Sequence, residues 1–384
     1  MVRPAMAARP RSVRNRITSS RCRGAALGGA VAAVLSGCSA FASPQPGPVP
    51  GASLAPAGAV GYVVCPTAVT PVELATHTAE APIPLPISGT PALGNFAIAA
   101  SPDGRWAYVV TSDAQVQNVV VPIDLTAQRA EPPIAIPGQG GTHAIVVLAG
   151  GRSVLAASGS TIVPVDAVTR QVGRPLQLGP GNTIVGMALD PRSTTLYALV
   201  AGGVFPVDTA RGSAGAEIPT GLSVSSVYSP HGIAVTADGS TVYVVGQGPP
   251  SFGGRVLPIA TATGSARAAT GFDAFGIADP AALAVIPDGT SLLVVDSANN
   301  WVNPVVVATF ATPPQPVRLP EQPSGTSSSG TRHPTDIVLG PGPTGAFIVD
   351  DFDSVIPYRP GPQTFGRPIP VCPGASSMTV ASAP

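Results

Sequence analysis

One short pattern recurs six times between residues 98 and 349 of this 384-residue chain. Each copy has a short apolar segment, a turn such as Pro-Asp-Gly, and a second apolar segment. The copies are IAASPDGRWAYVV (98–110), IVVLAGGRSVLAA (145–157), MALDPRSTTLYAL (187–199), IAVTADGSTVYVV (233–245), LAVIPDGTSLLVV (283–295) and IVLGPGPTGAFIV (337–349). Two apolar segments around a turn that accepts left-handed backbone angles predict a β-hairpin. The repeat therefore predicts a modular all-β protein.

Two residue columns define the length of the repeat. Within the second strand, a large side chain recurs at Tyr108, Leu155, Tyr197, Tyr243, Leu293 and Phe347. A third strand follows, in which a proline recurs at Pro71, Pro122, Pro164, Pro206, Pro258, Pro304 and Pro357. The prolines are about 40 to 50 residues apart, the spacing of a four-stranded propeller blade. Because proline donates no backbone hydrogen bond, we expect a bulge or a skipped bond at each of them.

Six hairpins and seven proline motifs leave one blade without its first strand. The C-terminal segment SSMTVASAP (376–384) aligns with the first strands, and GAVGYVVC (58–65) supplies the matching second strand. We therefore predict an all-β, seven-bladed β-propeller over residues 58–384, closed by a composite seventh blade. Closure of the ring would remove the two exposed edges of an open array.

The chain contains four cysteines, of which Cys65 and Cys372 belong to the predicted propeller. Cys65 ends a second strand and Cys372 precedes a first strand on the same rim, so we predict that they form a disulfide across the closure. The alternative is a pair of buried free thiols. A disulfide would close a loop of about 300 residues, worth about 5 kcal/mol at most by chain entropy.

The N-terminal region has the arrangement of an export signal. Seven arginines precede residue 24, and an apolar run follows from Gly24 to Leu35. The sequence Leu35-Ser-Gly-Cys38 resembles a bacterial lipobox, so residues 1–37 are predicted to be a lipoprotein signal peptide and Cys38 to be the lipidated residue. An ordinary signal peptide with a nearby cysteine is the alternative. Residues 38–57 are rich in Pro, Gly, Ala and Ser and are predicted to form a tether. Together, the signal peptide and the lipidated Cys38 would place the protein on the extracytoplasmic face of the cell membrane.

The formal charge of zero depends on that leader. All 20 basic residues are arginine, against 20 acidic residues, and removal of residues 1–37 leaves 13 basic and 20 acidic residues, a charge of −7. The absence of lysine excludes Schiff-base and P-loop chemistry. Without a basic stripe or many aromatic residues, nucleic-acid binding is not expected.

The repeats resemble those of the YVTN family of seven-bladed propellers, found in exported and surface proteins. The resemblance covers roughly residues 58–384, and the Pro-Ile/Val-Asp variant is similar to copies from high-GC Gram-positive bacteria. It implies the fold but no residue role, because the family's final Asn is replaced here by Cys65, Thr111, Ser158, Val200, Gly246, Asp296 and Asp350. The family includes recognition proteins and borders a group of propeller lactonases.

Candidate ligand-binding residues fall on the face whose loops vary between repeats, around blades 4 to 6. Three histidines precede first strands: His143, His231 and His333. Four carboxylates follow second strands: Asp296, Asp350, Asp351 and Asp353. They could accept a cation or a basic ligand, or they could be solvated loop acids, and the loop variation itself could be drift. Asp124, Asp166 and Asp208 recur with the proline motif and are expected to cap turns.

These patterns predict a lipid-anchored surface propeller that acts as a noncatalytic binding module. We expect a monomer with no cofactor and no metal, since the histidines lie on blades that are not adjacent and no catalytic motif occurs in a suitable context. The alternative is a propeller hydrolase of the lactonase type, with His143, His231 and rim Asp residues acting at the channel mouth.

Overall fold

The computed structural model describes residues 58–88, 96–113, 117–138, 140–141, 144–224, 232–248, 253–267, 270–271, 277–309, 316–321, 333–340, 345–351 and 353–381. The regular secondary structure of these described residues consists of β-strands. No helix long and apolar enough to span a membrane occurs among them. The strands lie within one compact unit, Pro50–Pro384. The predicted leader, Cys38 and the predicted tether lie outside the described residues.

The described strands form seven antiparallel sheets. In chain order they are β1 (Val60–Val64), β2 (Ala68–Glu73), β3 (Thr78–Ala79), β4 (Ile83–Pro84), β5 (Ala97–Ala100), β6 (Trp106–Ser112), β7 (Asn118–Asp124), β8 (Arg129–Ala130), β9 (Ile134–Ala135), β10 (Ile145–Val147), β11 (Ser153–Ser158), β12 (Thr161–Asp166), β13 (Leu176–Gln177), β14 (Ile184–Leu189), β15 (Thr195–Val200), β16 (Gly203–Asp208), β17 (Ser213–Ala214), β18 (Ile218–Pro219), β19 (Ile233–Val235), β20 (Thr241–Gly248), β21 (Gly253–Ala260), β22 (Ser265–Ala266), β23 (Thr270–Gly271), β24 (Pro280–Val285), β25 (Ser291–Asp296), β26 (Trp301–Val306), β27 (Val317–Arg318), β28 (Pro334–Leu339), β29 (Ala346–Asp350), β30 (Ser354–Arg359), β31 (Thr364–Phe365), β32 (Ile369–Pro370) and β33 (Ser377–Ala381). Blades 1 to 6 are β5–β9, β10–β13, β14–β18, β19–β23, β24–β27 and β28–β32, and blade 7 combines β33 with β1–β4.

Blade 7 confirms the predicted closure. Strand β33 pairs antiparallel with β1, in a register that runs from Val60 opposite Ala381 to Val64 opposite Ser377. A disulfide joins Cys65, which follows β1, to Cys372, which precedes β33, with their Cα atoms 6.1 Å apart. The predicted disulfide is therefore confirmed. It links the composite blade to the chain segment that leaves blade 6.

The recurrent proline faces an interruption in the outermost strand. In blade 1, β8 pairs with one end of β7 and β9 with the other, so that the outer strand is broken opposite Pro122. The carbonyl oxygen of Pro122 accepts the backbone N–H of Glu131 at 2.8 Å. The corresponding carbonyls of Pro71, Pro164, Pro206, Pro258 and Pro357 also accept from the outer segment. At these six prolines the ring nitrogen, which carries no hydrogen, faces the break in the outer strand, and the predicted skipped bond is confirmed there.

The two sequence columns are cross-strand partners. Tyr108 lies opposite Pro122, Tyr197 opposite Pro206 and Phe347 opposite Pro357. Because each proline carbonyl points to the outer strand, these are non-hydrogen-bonded pairs, in which side chains approach most closely. The aromatic side chains are buried, and the core consists of apolar clusters between neighbouring blades.

The ring has two unlike faces. The plain face carries the turns between first and second strands and between third and fourth strands. The third-to-fourth-strand turns of blades 1 to 3 are capped alike: the Asp124 carboxylate accepts the backbone N–H groups of Thr126 and Ala127, and Asp166 and Asp208 accept equivalent pairs. The expected turn capping is confirmed. The elaborated face carries the second-to-third-strand turns and the connections between blades.

Candidate functional site

Seven equivalent residues lie at or near the elaborated-face ends of the second strands, and all are buried. They are Cys65, Thr111, Ser158, Val200, Gly246, Asp296 and Asp350. Several fasten a neighbouring segment of the face. In blade 2, Ser158 accepts a hydrogen bond of 2.7 Å from the Asn118 side chain of blade 1, whose amide also donates to the carbonyl oxygen of Gly140. This column therefore shapes the base of the elaborated face.

Asp296 belongs to this column and is fully buried. Its carboxylate accepts the backbone N–H groups of Ala278 and Asp279, at 3.1 and 3.2 Å, from the segment that enters blade 5. It also accepts the backbone N–H groups of Ala298 and Asn299 and the Asn299 side-chain amide. Both carboxylate oxygens are thus engaged in joining the second-to-third-strand turn to the entering segment.

Two other predicted site residues, His333 and Asp351, meet where blades 5 and 6 adjoin. The backbone N–H of His333 donates to the Asp351 carboxylate at 3.2 Å, and the Asp351 N–H donates to the carbonyl oxygen of His333. The Nδ1 atom of His333 is 3.2 Å from the carbonyl oxygen of Ser297 in blade 5. Asp350, fully buried, accepts the Ser354 hydroxyl at 2.8 Å.

Burial raises the pKa of Asp351 above its ordinary value, although the nearby His333 opposes that shift. Asp353, in the same turn, is exposed and has a left-handed backbone with φ of 71°. The structure therefore brings His333 and Asp351 together beside the turn that Asp296 caps, and leaves Asp353 in solvent. His143 and His231 lie outside the described residues.

No group of three His, Cys, Asp or Glu side chains that could hold a metal ion occurs in the part of the chain that the structure describes. At the plain face, a cavity of about 420 Å³ is lined by the ends of the first strands, with residues such as Ile98, Val147, Leu189 and Leu339. Thr379 is the one polar side chain in that lining, and its hydroxyl accepts the backbone N–H of Ala100. The described lining at this end thus supplies no general acid or base.

Two glycines let loops cross closely over blade 4. A Cβ atom at Gly246 would lie 2.9 Å from the carbonyl oxygen of Ser223, and one at Gly254 would lie 2.5 Å from Ile277. The backbones of Ser223 and Gln247 also exchange two hydrogen bonds of 2.8 Å. The segments on either side of blade 4 are therefore fixed at their bases, where they meet β20 and β21.

One buried carboxylate escaped the sequence analysis. Asp336 on β28 is fully buried, and its carboxylate accepts the backbone N–H groups of Ile337 and of Met378 on β33, the latter at 2.9 Å. The signal was present in the sequence, because five other first strands have a small residue at this column. Those residues are Ala97, Ala144, Gly186, Gly232 and Ala282. An acidic residue there indicates a partner at close range.

The chain is a seven-bladed β-propeller whose elaborated face rests on buried polar bonds. It matches no protein-family model and no curated protein, so the YVTN-type repeat stays a prediction. Similar solved structures include hydrazine synthase of Kuenenia stuttgartiensis, with a TM-score of 0.61 and 17% identity over 76% of this chain and 90% of that one. Another is a functionally unknown protein of Desulfotomaculum acetoxidans, with a TM-score of 0.61 and 14% identity over 85% of this chain and 99% of that one. At these identities the likeness shows the fold alone.

Proposed function

We propose that this chain is an exported, lipid-anchored β-propeller of the YVTN type that binds a cell-envelope partner through its elaborated face without catalysis. The contrast between the two faces carries the proposal. The third-to-fourth-strand turns of blades 1 to 3 on the plain face repeat the same capping bonds, whereas the elaborated-face connections differ in sequence and length from blade to blade. Variable loops on a rigid repeat scaffold are the usual arrangement of a binding surface.

The Cys65–Cys372 disulfide supports export, because disulfides persist mainly in oxidising compartments. The disulfide closes the ring covalently at blade 7, where the backbone pairing of β33 with β1 involves only five residues of each strand. The N-terminal features suggest the same location: a basic and apolar leader followed by Cys38.

The start of β1 and the end of β33 lie on the same face of the propeller. Val60 begins β1 opposite Ala381, the last residue of β33, and this end of the blade corresponds to the plain-face hairpin turns of the other blades. A tether attached through Gly58 would therefore enter at the plain face. The attachment point of the tether would then lie on the face opposite the proposed binding surface.

A paired capture experiment tests the binding role. The mature chain, immobilised through its C-terminus, is incubated with detergent-solubilised cell envelope. A Glu321→Arg and Asp353→Asn variant changes two exposed acids of the elaborated face, and an Arg192→Glu variant changes the plain face. We expect a specific partner whose retention falls at least tenfold with the first variant and is unchanged with the second. Equal loss with both variants, or turnover of lactone substrates that disappears in His143→Ala, would overturn the proposal.

The anchor is tested separately. A Cys38→Ser chain should move from the membrane fraction to the soluble fraction of the producing cell, while its propeller keeps the same melting temperature. Membrane retention of Cys38→Ser would show that another segment attaches the protein.

A further inference from the structure

The closing strand β33 is a short strand added to the β1 edge of blade 7. It has five residues and pairs along one edge only, with β1. Its residues alternate between two neighbours: Met378 and Val380 pack with the cluster between blades 6 and 7, and Ala381 packs with the cluster between blades 7 and 1. Strand addition of this kind gives affinity through the backbone and selectivity through alternate side chains.

A pocket for one side chain gives the site its first element of selectivity. Met378 is 99% buried, beside Leu74, Phe347 and Val349. A Cβ atom at Gly61 would overlap the end of the Met378 side chain, so glycine at this position of β1 makes the pocket. A long, unbranched apolar side chain fits there, and a charged one would be buried without a partner.

Polar groups fix the segment on both sides of that pocket. Asp336 of blade 6 accepts the backbone N–H of Met378 at 2.9 Å. On the other side, the Thr379 hydroxyl accepts the backbone N–H of Ala100 in blade 1, and the Ser376 hydroxyl donates to the carbonyl oxygen of Phe96, both at 3.1 Å. A strand shifted by one residue would misplace all three bonds and the methionine.

We propose that blade 7 contains a sequence-selective strand-binding site, that the C-terminal segment occupies it as an intramolecular ligand, and that a second copy of the chain supplies the same segment when the Cys65–Cys372 link is absent. Cys372 lies a few residues before β33 in the chain. The disulfide bonds it to Cys65, which directly follows β1, beside the site. This connection keeps the local concentration of the cis segment high. Without it, residues 371–376 form a hinge at which strands exchange between copies.

A synthetic peptide of residues 376–384 tests the site directly. Labelled peptide is added to the mature chain and to a Cys65→Ser, Cys372→Ser variant. We expect the variant to take up the peptide, and to form exchanged dimers at high protein concentration, while the disulfide-bonded chain does neither. In the same variant, Asp336→Ala should weaken peptide binding at least tenfold, and Asp288→Asn, a change of an exposed acid in the hairpin turn of blade 5, should leave it unchanged.

A second variant tests the strand-binding site while the disulfide is intact. Met378→Asp, with both cysteines retained, should expel β33, and the wild-type peptide should then raise its melting temperature. A peptide carrying the same Met378→Asp change should have no effect. Folded chains that exclude the wild-type peptide, or that take up both peptides equally, would overturn the proposal. None of these measurements depends on the lipid anchor or on an envelope partner.

Discussion

The carboxylate of Asp296 accepts the backbone N–H of Ala278 at 3.1 Å, which joins the end of the second strand of blade 5 to the segment that enters the same blade. Four further N–H groups converge on that carboxylate. Hydrogen bonds from several donors hold this buried carboxylate in one position. Asp296 therefore supports the elaborated face from beneath. A ligand of that face would contact the segments that Asp296 holds, and not Asp296 itself.

Replacement of Asp296 tests this supporting role. Asp296→Ala leaves several buried N–H groups without an acceptor, and we expect the free energy of unfolding to fall by about 3 kcal/mol, since a hydrogen bond to a charged group contributes about 1.5–3 kcal/mol. Urea denaturation measures the change. Asp296→Asn keeps one carbonyl oxygen and should lose less. An Asp296→Ala chain of unchanged stability would show that the carboxylate supports nothing.

Removal of the closing disulfide should weaken the whole ring. The link spans 307 residues, and a Cys65→Ser, Cys372→Ser chain is expected to lose about 2–5 kcal/mol of stability because its unfolded state gains freedom. Thermal unfolding under non-reducing conditions checks this. Addition of a dithiol reductant should bring the wild-type chain to the melting temperature of the variant and leave the variant unchanged. A wild-type chain that melts at the variant's temperature before reduction would contradict the prediction.

The fold could be predicted from sequence because each blade repeats the same local choices. The aromatic and proline columns were visible as columns, and the structure shows that Tyr108 and Pro122 are direct neighbours across two strands. The composite closure followed from a simple count of hairpins and proline motifs. Repetition supplied seven independent observations of one unit, and this made strand order and register predictable.

The site was less predictable because its contacts do not repeat. Asp296 and Asp350 stood at an identified column, but two of the backbone groups that Asp296 binds, those of Ala278 and Asp279, belong to a segment some 17 residues earlier in the chain. Asp336 meets Met378 across 42 residues and a blade boundary. Contacts of this kind depend on where the irregular connections pass, and neither periodicity nor composition determines that path.

The close crossing at Gly246 provides a test of loop placement on the elaborated face. Gly246→Ala would bring a methyl group within 2.9 Å of the Ser223 carbonyl oxygen and 3.1 Å of Leu222. We expect a loss of about 1–3 kcal/mol through overpacking, with faster hydrogen exchange at the amides of Ser223 and Gln247.

Gly150 is the matched control for that substitution. A Cβ atom there would meet nothing within 4 Å, and the φ angle of Gly150 is not positive. Gly150→Ala should therefore be neutral or stabilise the chain slightly. Equal effects of the two substitutions would mean that the crossing segment does not rest on Gly246.

The pH dependence of stability should reveal Asp351. Burial raises its pKa in the folded chain above the ordinary value of 3.8, so the folded state binds the carboxyl proton more tightly than the unfolded state does. The charged carboxylate therefore costs stability at neutral pH, and this cost disappears as the pH falls through the raised folded-state pKa to below about 4. Asp351→Asn, which keeps an oxygen to accept the His333 N–H, should be more stable than the wild type at pH 7 and equal to it below pH ~4. Urea denaturation across pH 3–8 measures the difference, with exposed Asp353→Asn as the control that stays within about 0.5 kcal/mol of the wild type at each pH. A stability difference that grows on acidification would reverse the sign of the assigned shift.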